Sequence, residues 1–250
     1  MPTEPLIAVF VDYENLELGV RDMKAGSLKI ELILTRLLEK GRIVSKRAYC
    51  DWRSHSKAVR EFHALGIELI DIPRSKMSGK NSADIHMVVD AIDLCYSKAH
   101  IDTFALLTGD SDFSPLVSKL KENDKRVFGC GVQNSTSRLL VSNCDELLFY
   151  DDLLREQKPQ RRRKAEGEDN PGERAIDQLM AIVRSLDRDY DSVWGSMVKQ
   201  TIRRVHPEFN EVYAGFRNFA ELLREADKRE LVSLEMDESR GNYKVSLRTD

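Results

Sequence analysis

Through the first 150 residues, apolar runs of strand length alternate with stretches of helical period. No other feature of the chain restricts its fold as strongly. The runs are "LIAVFV" (6–11), "RIVSKRAY" (42–49), "IELIDI" (67–72), "TFALLT" (103–108), "RVFGCGV" (126–132) and "ELLFY" (146–150). Between them lie "LKIELILTRLLEK" (28–40), "SKAVREFHAL" (56–65), "ADIHMVVDAIDLCYSK" (83–98) and "SPLVSKLKEN" (114–123). Parallel strands need a crossover of a dozen or more residues, usually a helix, so this order predicts an α/β fold with a parallel sheet flanked by helices. In such open sheets ligands bind beyond the carboxyl ends of the strands, where strand order reverses.

The alternation stops at "REQKPQRRRKAEGEDNPGE" (155–173), which has no aromatic or β-branched residue and carries its charges in blocks. Such a segment cannot bury a core and reads as a solvated linker. The expected division is a front domain over 1–153, a basic flexible linker over 154–172 and a small domain over 173–250. In the last, "PGERAIDQLMAIVRSL" follows Asn170-Pro171 as a helix start, and "SVWGSMVKQTIRRV" and "FRNFAELLREADKR" are two further amphipathic helices. "LVSLEM", "DESRGN" and "YKVSL" read as a closing β-hairpin, so three helices and a hairpin predict a small C-terminal winged-helix domain. Trp194 and Phe219 are read as core residues. Glu221 stands between Arg217 and Arg224, the spacing of an ion-paired helix face.

A net charge of −3 carries no global sign of nucleic-acid or membrane binding, so any such surface must be local. The apolar runs fall short of a membrane span, and "MPTEPLIAVFV" lacks the basic start of a signal peptide. Cys50, Cys95, Cys130 and Cys144 form no C-x-x-C pair and have no zinc-type partner spacing, which predicts a reduced, cytoplasmic protein. The histidines are scattered without Ser-His or Cys-His pairing, which argues against nucleophilic catalysis.

Acids cluster at the strand ends. The first run leads into "VDYENL", with Asp12, Glu14 and Asn15, and the fourth into "TGDSDF", with Asp110 and Asp112. In a doubly wound sheet, strands 1 and 4 flank the reversal point and bring Asp12 opposite Asp110. Ser114 and Pro115 suit the N-cap and first position of the following helix, which leaves Asp112 in the loop. Asp84 lies in the first turn of the 83–98 helix, and Asn81 stands as its candidate cap. Asp90 and Asp93, on the same helix, point elsewhere. Clustered carboxylates without His or Cys are hard oxygen ligands suited to Mg²⁺ or Mn²⁺, ions that serve phosphodiester hydrolysis. Arg74, Lys76 and Lys80 in the preceding loop would bind the polyanion the acids repel. Each acid alone is also ordinary turn or helix-dipole chemistry. "GCGVQNSTSRLL" (129–140) reads as a polar turn capping a helix, with a phosphate contact through Asn134–Ser137 as the alternative.

"VDYEN", "GKNSAD" and "TGDSDF", in that order, resemble the NYN domain, a branch of the PIN-like ribonucleases. The resemblance implies a PIN-like (Rossmannoid) sheet. It implies that Asp12, Asp84, Asp110 and Asp112 hold the metal, that Asn15 orients a ligand or the scissile phosphate, and that Thr108 supports the substrate loop. The haloacid-dehalogenase phosphatases want Asp-x-Asp after strand 1, where this chain has Asp12-Tyr13-Glu14, and no phosphate-binding Gly-rich loop is present. The helical pattern of 174–248, with "VHPEFNEVYAGFRNFAELL" and the hairpin, resembles the OST-HTH or LOTUS domain, which implies binding of RNA or a partner protein. Arg161, Arg162, Arg163 and Lys164 add a local hold on RNA. The reading is a metal-dependent ribonuclease, with endonucleolytic cleavage expected. Its rival is a non-catalytic adapter that keeps the acids. The sequence leaves homodimerisation open.

Overall fold

A computed structural model describes residues 4–73, 82–157 and 170–248. The chain divides into two compact units, 1–160 and 161–250.

In the front unit six strands make one parallel sheet: β1 (Leu6–Asp12), β2 (Arg42–Cys50), β3 (Glu68–Asp71), β4 (Thr103–Leu107), β5 (Arg126–Gly131) and β6 (Glu146–Phe149). Their order is β3-β2-β1-β4-β5-β6. The chain builds outward from β1 to β3 and then returns to place β4 on the other side of β1. That is the reversal expected from the alternating pattern, and it falls between the two strands that lead into the acids. Among the described residues the helices include α1 (Tyr13–Asp22), α2 (Ile30–Lys40), α3 (Ser56–Ala64), α4 (Ser82–Ser97), α5 (Ser114–Glu122) and α6 (Arg138–Asn143).

Strand periodicity sorts the core into two layers. Ile7, Val9 and Val11 pack with Leu16, Ile33, Leu37 and Phe62 from α1, α2 and α3. Ala8 and Phe10 pack with Met87, Ala91, Leu116 and Leu120 from α4 and α5. Each such large side chain contributes roughly 1.5–3 kcal/mol when fully buried. With both faces covered, β1 and β4 read as continuous apolar runs rather than alternating ones.

α1 begins directly after β1, where the Asp12 carboxylate accepts from the backbone N–H of Asn15 and caps it. Ser114 is expected to cap α5, yet it lies inside the helix with Pro115, and its buried hydroxyl has no partner among the described residues.

The rear unit has its own core. Helices α7 (Pro171–Asp189), α8 (Gly195–Val205) and α9 (Phe219–Lys228) bury Leu179, Val183, Ile202 and Leu222 together. Strands β7 (Val193–Trp194), β8 (Val232–Asp237) and β9 (Asn242–Leu247) form an antiparallel sheet in the order β7-β9-β8. The hairpin expected at the chain's end is present, and Val193–Trp194, expected within a helix, supply the third strand. Phe219 is buried as expected. Trp194 is half-buried with the Arg240 guanidinium 4.7 Å over its ring. Glu221 caps rather than pairs with its arginine neighbours: Asn218 Oδ1 accepts from Glu221 N at 3.0 Å, and Glu221 accepts from Arg217 N. No helix among the described residues is long and apolar enough to cross a membrane.

Candidate metal centre at the strand ends

Asp12 ends β1, and Thr108 directly follows β4. The register pairs Val11 with Leu107, so the next residue of each strand, Asp12 and Thr108, leaves the sheet side by side. The Thr108 hydroxyl donates to Asp12 Oδ2 at 3.0 Å. Its oxygen accepts from Asp110 N at 3.2 Å, and Asp110 Oδ1 accepts from Asp112 N at 3.0 Å. On the β1 side, Asn15 N donates to Asp12 Oδ1 at 3.2 Å, and Asn15 Oδ1 accepts from Gly109 N at 2.8 Å. The two acidic loops are therefore tied by hydrogen bonds from Thr108 and Asn15.

Gly109 has a steric reason. A Cβ there would lie 2.9 Å from the backbone oxygen of Ser135 and 3.0 Å from Thr136 Cα. The 129–140 stretch is thus a buttress for the acidic loop. Ser137 N donates to Gly109 O at 2.8 Å, and the Ser137 side chain caps α6.

The acids sense one another. Asp12 is only 9% exposed, and its pKa is pushed up from 3.8 to about 7. Burial is the main cause, and the charges of Asp84 and Asp110 add to it. The Asn15 N–H and the Thr108 hydroxyl pull the other way. Burial also raises Asp84, with the charges of Asp110, Asp112 and Glu14 adding to it. Four carboxylates from β1, α4 and the β4 loop thus share one electrostatic neighbourhood. All their donor atoms are oxygen, and their mutual repulsion is what a hard divalent cation relieves, so the residues fit Mg²⁺ or Mn²⁺.

Other candidates fall elsewhere. Thr108 is fully buried and bridges Asp12 to the Asp110 loop. Asp90 accepts from the Tyr49 hydroxyl at 2.7 Å and lies 3.6 Å from Arg47. Arg74, Lys76, Lys80 and Asn81, and the linker residues Arg161, Arg162, Arg163 and Lys164, lie outside the described residues. A cavity of about 540 Å³ lined by Asp102, Lys121, Arg126 and Asp145 opens at the opposite, amino-terminal strand ends, and nothing ties it to the acids.

Sequence spacing missed a second group. Glu14, Cys50 and His55 bring their ligand atoms within 4.8 Å of one another. The Cys50 thiol donates to Glu14 Oε1 at 3.7 Å, and burial, with Glu14 beside it, pushes that thiol far above its ordinary range.

The NYN domain family model matches residues 6–151. The chain belongs to the NYN domain family. NYN domains fall within the PIN-like ribonuclease superfamily, whose members typically use divalent metals. An uncharacterized protein of Methanocaldococcus jannaschii is 30% identical over 145 residues, covering 58% of this chain and 55% of that protein. The chain thus spans about half the length of that curated relative. A crystal structure of a protein of unknown function from Vibrio parahaemolyticus matches with a TM-score of 0.54 and 26% identity, over 61% of this chain and 97% of the other. The NYN match ends at residue 151, before the rear unit begins.

Proposed function

We propose that the NYN unit is a Mg²⁺- or Mn²⁺-dependent ribonuclease that hydrolyses RNA phosphodiesters, with water as nucleophile, a 5′-phosphate product and endonucleolytic cleavage. One observation carries the reading: Asp12 is buried, held by two hydrogen bonds, and loaded by the charges of Asp84 and Asp110. A fold rarely retains such a cost at a strand end without a use for it. The bound cation would supply Lewis acidity to the scissile phosphate and the attacking water.

The chain's own residues do the rest. Thr108 and Asn15 fix Asp12, and with it the distance between the two acidic loops. Asp84 closes the cluster from the first turn of α4. The oxygen of Asn15 is taken by Gly109 N, which leaves its NH₂ end to orient a phosphate. Arg74, Lys76 and Lys80 are proposed to hold the flanking backbone of the polyanion.

The rear unit is proposed as an OST-HTH/LOTUS winged-helix module that positions RNA or recruits a protein partner. The three helices and three-stranded sheet among its described residues support that reading. Lys199 and Arg203 lie 3.7 and 3.3 Å from Glu211, so that basic pair is partly neutralised. The Arg224 side chain bonds the Tyr243 hydroxyl at 3.2 Å. The basic linker adds a salt-sensitive hold, and the protein is proposed to act in the cytoplasm.

The test is incubation of the purified chain with mixed labelled RNAs in Mn²⁺ or in EDTA. Cleavage in Mn²⁺ that stops in EDTA supports the enzyme. Binding of RNA or protein with no cleavage under any metal refutes it in favour of the adapter.

A further inference from the structure

Cys50 ends β2, His55 precedes α3, and Glu14 lies in the first turn of α1. A core cysteine needs no polar neighbours. This one is buried with its thiol on a carboxylate and an imidazole alongside. Tyr13 packs against the His55 ring at 5.0 Å, and Trp52 and Phe62 hold Tyr13 in turn at 5.1 and 5.5 Å. A cavity of about 240 Å³ opens beside His55 between Tyr13, Glu17, Ser54 and Glu61. Lys57 also lines it and lies 3.8 Å from Glu61.

Sulfur, imidazole and carboxylate together form a borderline-soft donor set, unlike the all-oxygen set of the four aspartates. In a tetrahedral zinc site, ligand atoms stand roughly 3.5 Å apart. The Cys50–Glu14 distance of 3.7 Å is near that already, and all three ligand atoms lie within 4.8 Å of one another. We propose that Glu14, Cys50 and His55 bind a zinc-class divalent cation through one sulfur, one nitrogen and one oxygen. The site clips the first turn of α1 to the end of β2. The next residue of that turn, Asn15, is the one bonded to Gly109 of the acidic loop. This site stands whether or not the aspartates cut RNA.

Cobalt(II) titration of the metal-depleted full chain tests it, because a Co²⁺–thiolate bond gives an intense near-ultraviolet band that oxygen ligands lack. Wild type and Asp110→Asn should both show the band, together with the visible bands of tetrahedral Co²⁺. Cys50→Ser should lose it. His55→Ala, at a half-exposed turn, should weaken Co²⁺ binding by roughly tenfold or more and keeps the test alive if Cys50→Ser fails to fold. Absence of the band in wild type, or an equal band in Cys50→Ser, overturns the site.

A separate observation concerns α4. Its apolar surface extends beyond the side that packs on the sheet through Met87, Ala91, Leu94 and Cys95. Ile85, Val89 and Tyr96 are 62%, 59% and 64% exposed, and Ile92 is half-buried between them. These four follow the spacing i, i+4, i+7, i+11 and fall within an arc of about 60°, the seam of a paired helix. His86 and Asp93, both exposed, share one flank of that seam. They lie about 10 Å apart along the helix, too far to pair within it. An antiparallel two-fold arrangement centred near residue 90 sets each His86 against the partner subunit's Asp93, twice over. This self-complementarity picks a second copy of the chain as the occupant. We infer that the α4 seam is a weak homodimer interface.

Sedimentation of the full chain over about 5–200 µM should show mass rising from 28.7 kDa towards twice that value. Val89→Glu should stay monomeric. His86→Asp should weaken the dimer several-fold, and adding Asp93→Lys should restore it. A wild-type chain that remains at 28.7 kDa throughout, or a dimer unmoved by Val89→Glu, overturns the inference.

Discussion

Replacing Asp12 by Asn should stabilise the metal-free front unit at alkaline pH. The folded protein holds the Asp12 carboxyl up at about 7, against 3.8 for an ordinary aspartate. At about 1.36 kcal/mol per pH unit, ionised Asp12 costs the metal-free fold about 4 kcal/mol. The sign follows from proton counting. Between these two values the folded state binds more protons than the unfolded one, so stability is greatest below pH 3.8 and falls as pH rises to about 7. Asparagine removes the charge but turns a donor towards the Thr108 hydroxyl, which now donates to Asp12 at 3.0 Å. Losing that bond offsets about 1–1.5 kcal/mol of the gain. A net gain of about 2–3 kcal/mol is expected at pH 8, equivalent to roughly 5–10 °C in Tm. Near pH 4 the gain vanishes and a small loss remains. Trp52 is buried in the front unit, so a Trp194→Phe background lets tryptophan fluorescence follow that unit alone through thermal unfolding in EDTA. Adding Mg²⁺ should raise the Tm of the Asp12 form and leave the Asn form nearly unmoved. A variant that is less stable at pH 8, or a gain that does not change with pH, would refute the electrostatic account of this site.

Asp110→Asn keeps the oxygen that accepts from Asp112 N, so the loop should survive while RNA cleavage falls by about two orders of magnitude or more and RNA binding persists or tightens; undiminished cleavage would show that Asp110 holds no metal. Thr108→Val strands two partners in a fully buried position, Asp12 Oδ2 and Asp110 N, and should cost about 1–3 kcal/mol in denaturant titration together with most of the activity. Neutralising Arg161, Arg162, Arg163 and Lys164 together should flatten the salt dependence of RNA binding by up to about 0.7 in log–log slope for each phosphate no longer neutralised, and an unchanged slope would remove the linker from the interface.

Much of the front unit is legible in the amino-acid sequence. β1 and β4 stand out because a strand buried on both faces must be apolar throughout, and the helices between the strands keep their own period. The positions of Asp12, Asp110 and Asp112 are legible for the same reason: a charge that follows a buried run marks where the chain leaves the core, while Asp84 is legible as an acid in the first turn of a helix. Hydrogen bonds to partners far along the chain are not legible. Thr108 follows an apolar run like many loop threonines, and only the β1–β4 register sets its hydroxyl against Asp12, 96 residues away. The pairing of Asp12 with Tyr49 in β1–β2 likewise places Cys50 against Glu14 across 36 residues, where linear spacing offers no metal partner. Glu221 takes the free N–H of Arg217 over the neighbouring guanidinium groups, because an unsatisfied backbone donor at a helix start is a closer and more directional partner than a solvated side chain. Local pattern alone therefore determined which segments are strands and helices and where the charges emerge. Which of those groups meet was decided by sheet order and register, since each meeting depends on segments that the linear sequence keeps far apart.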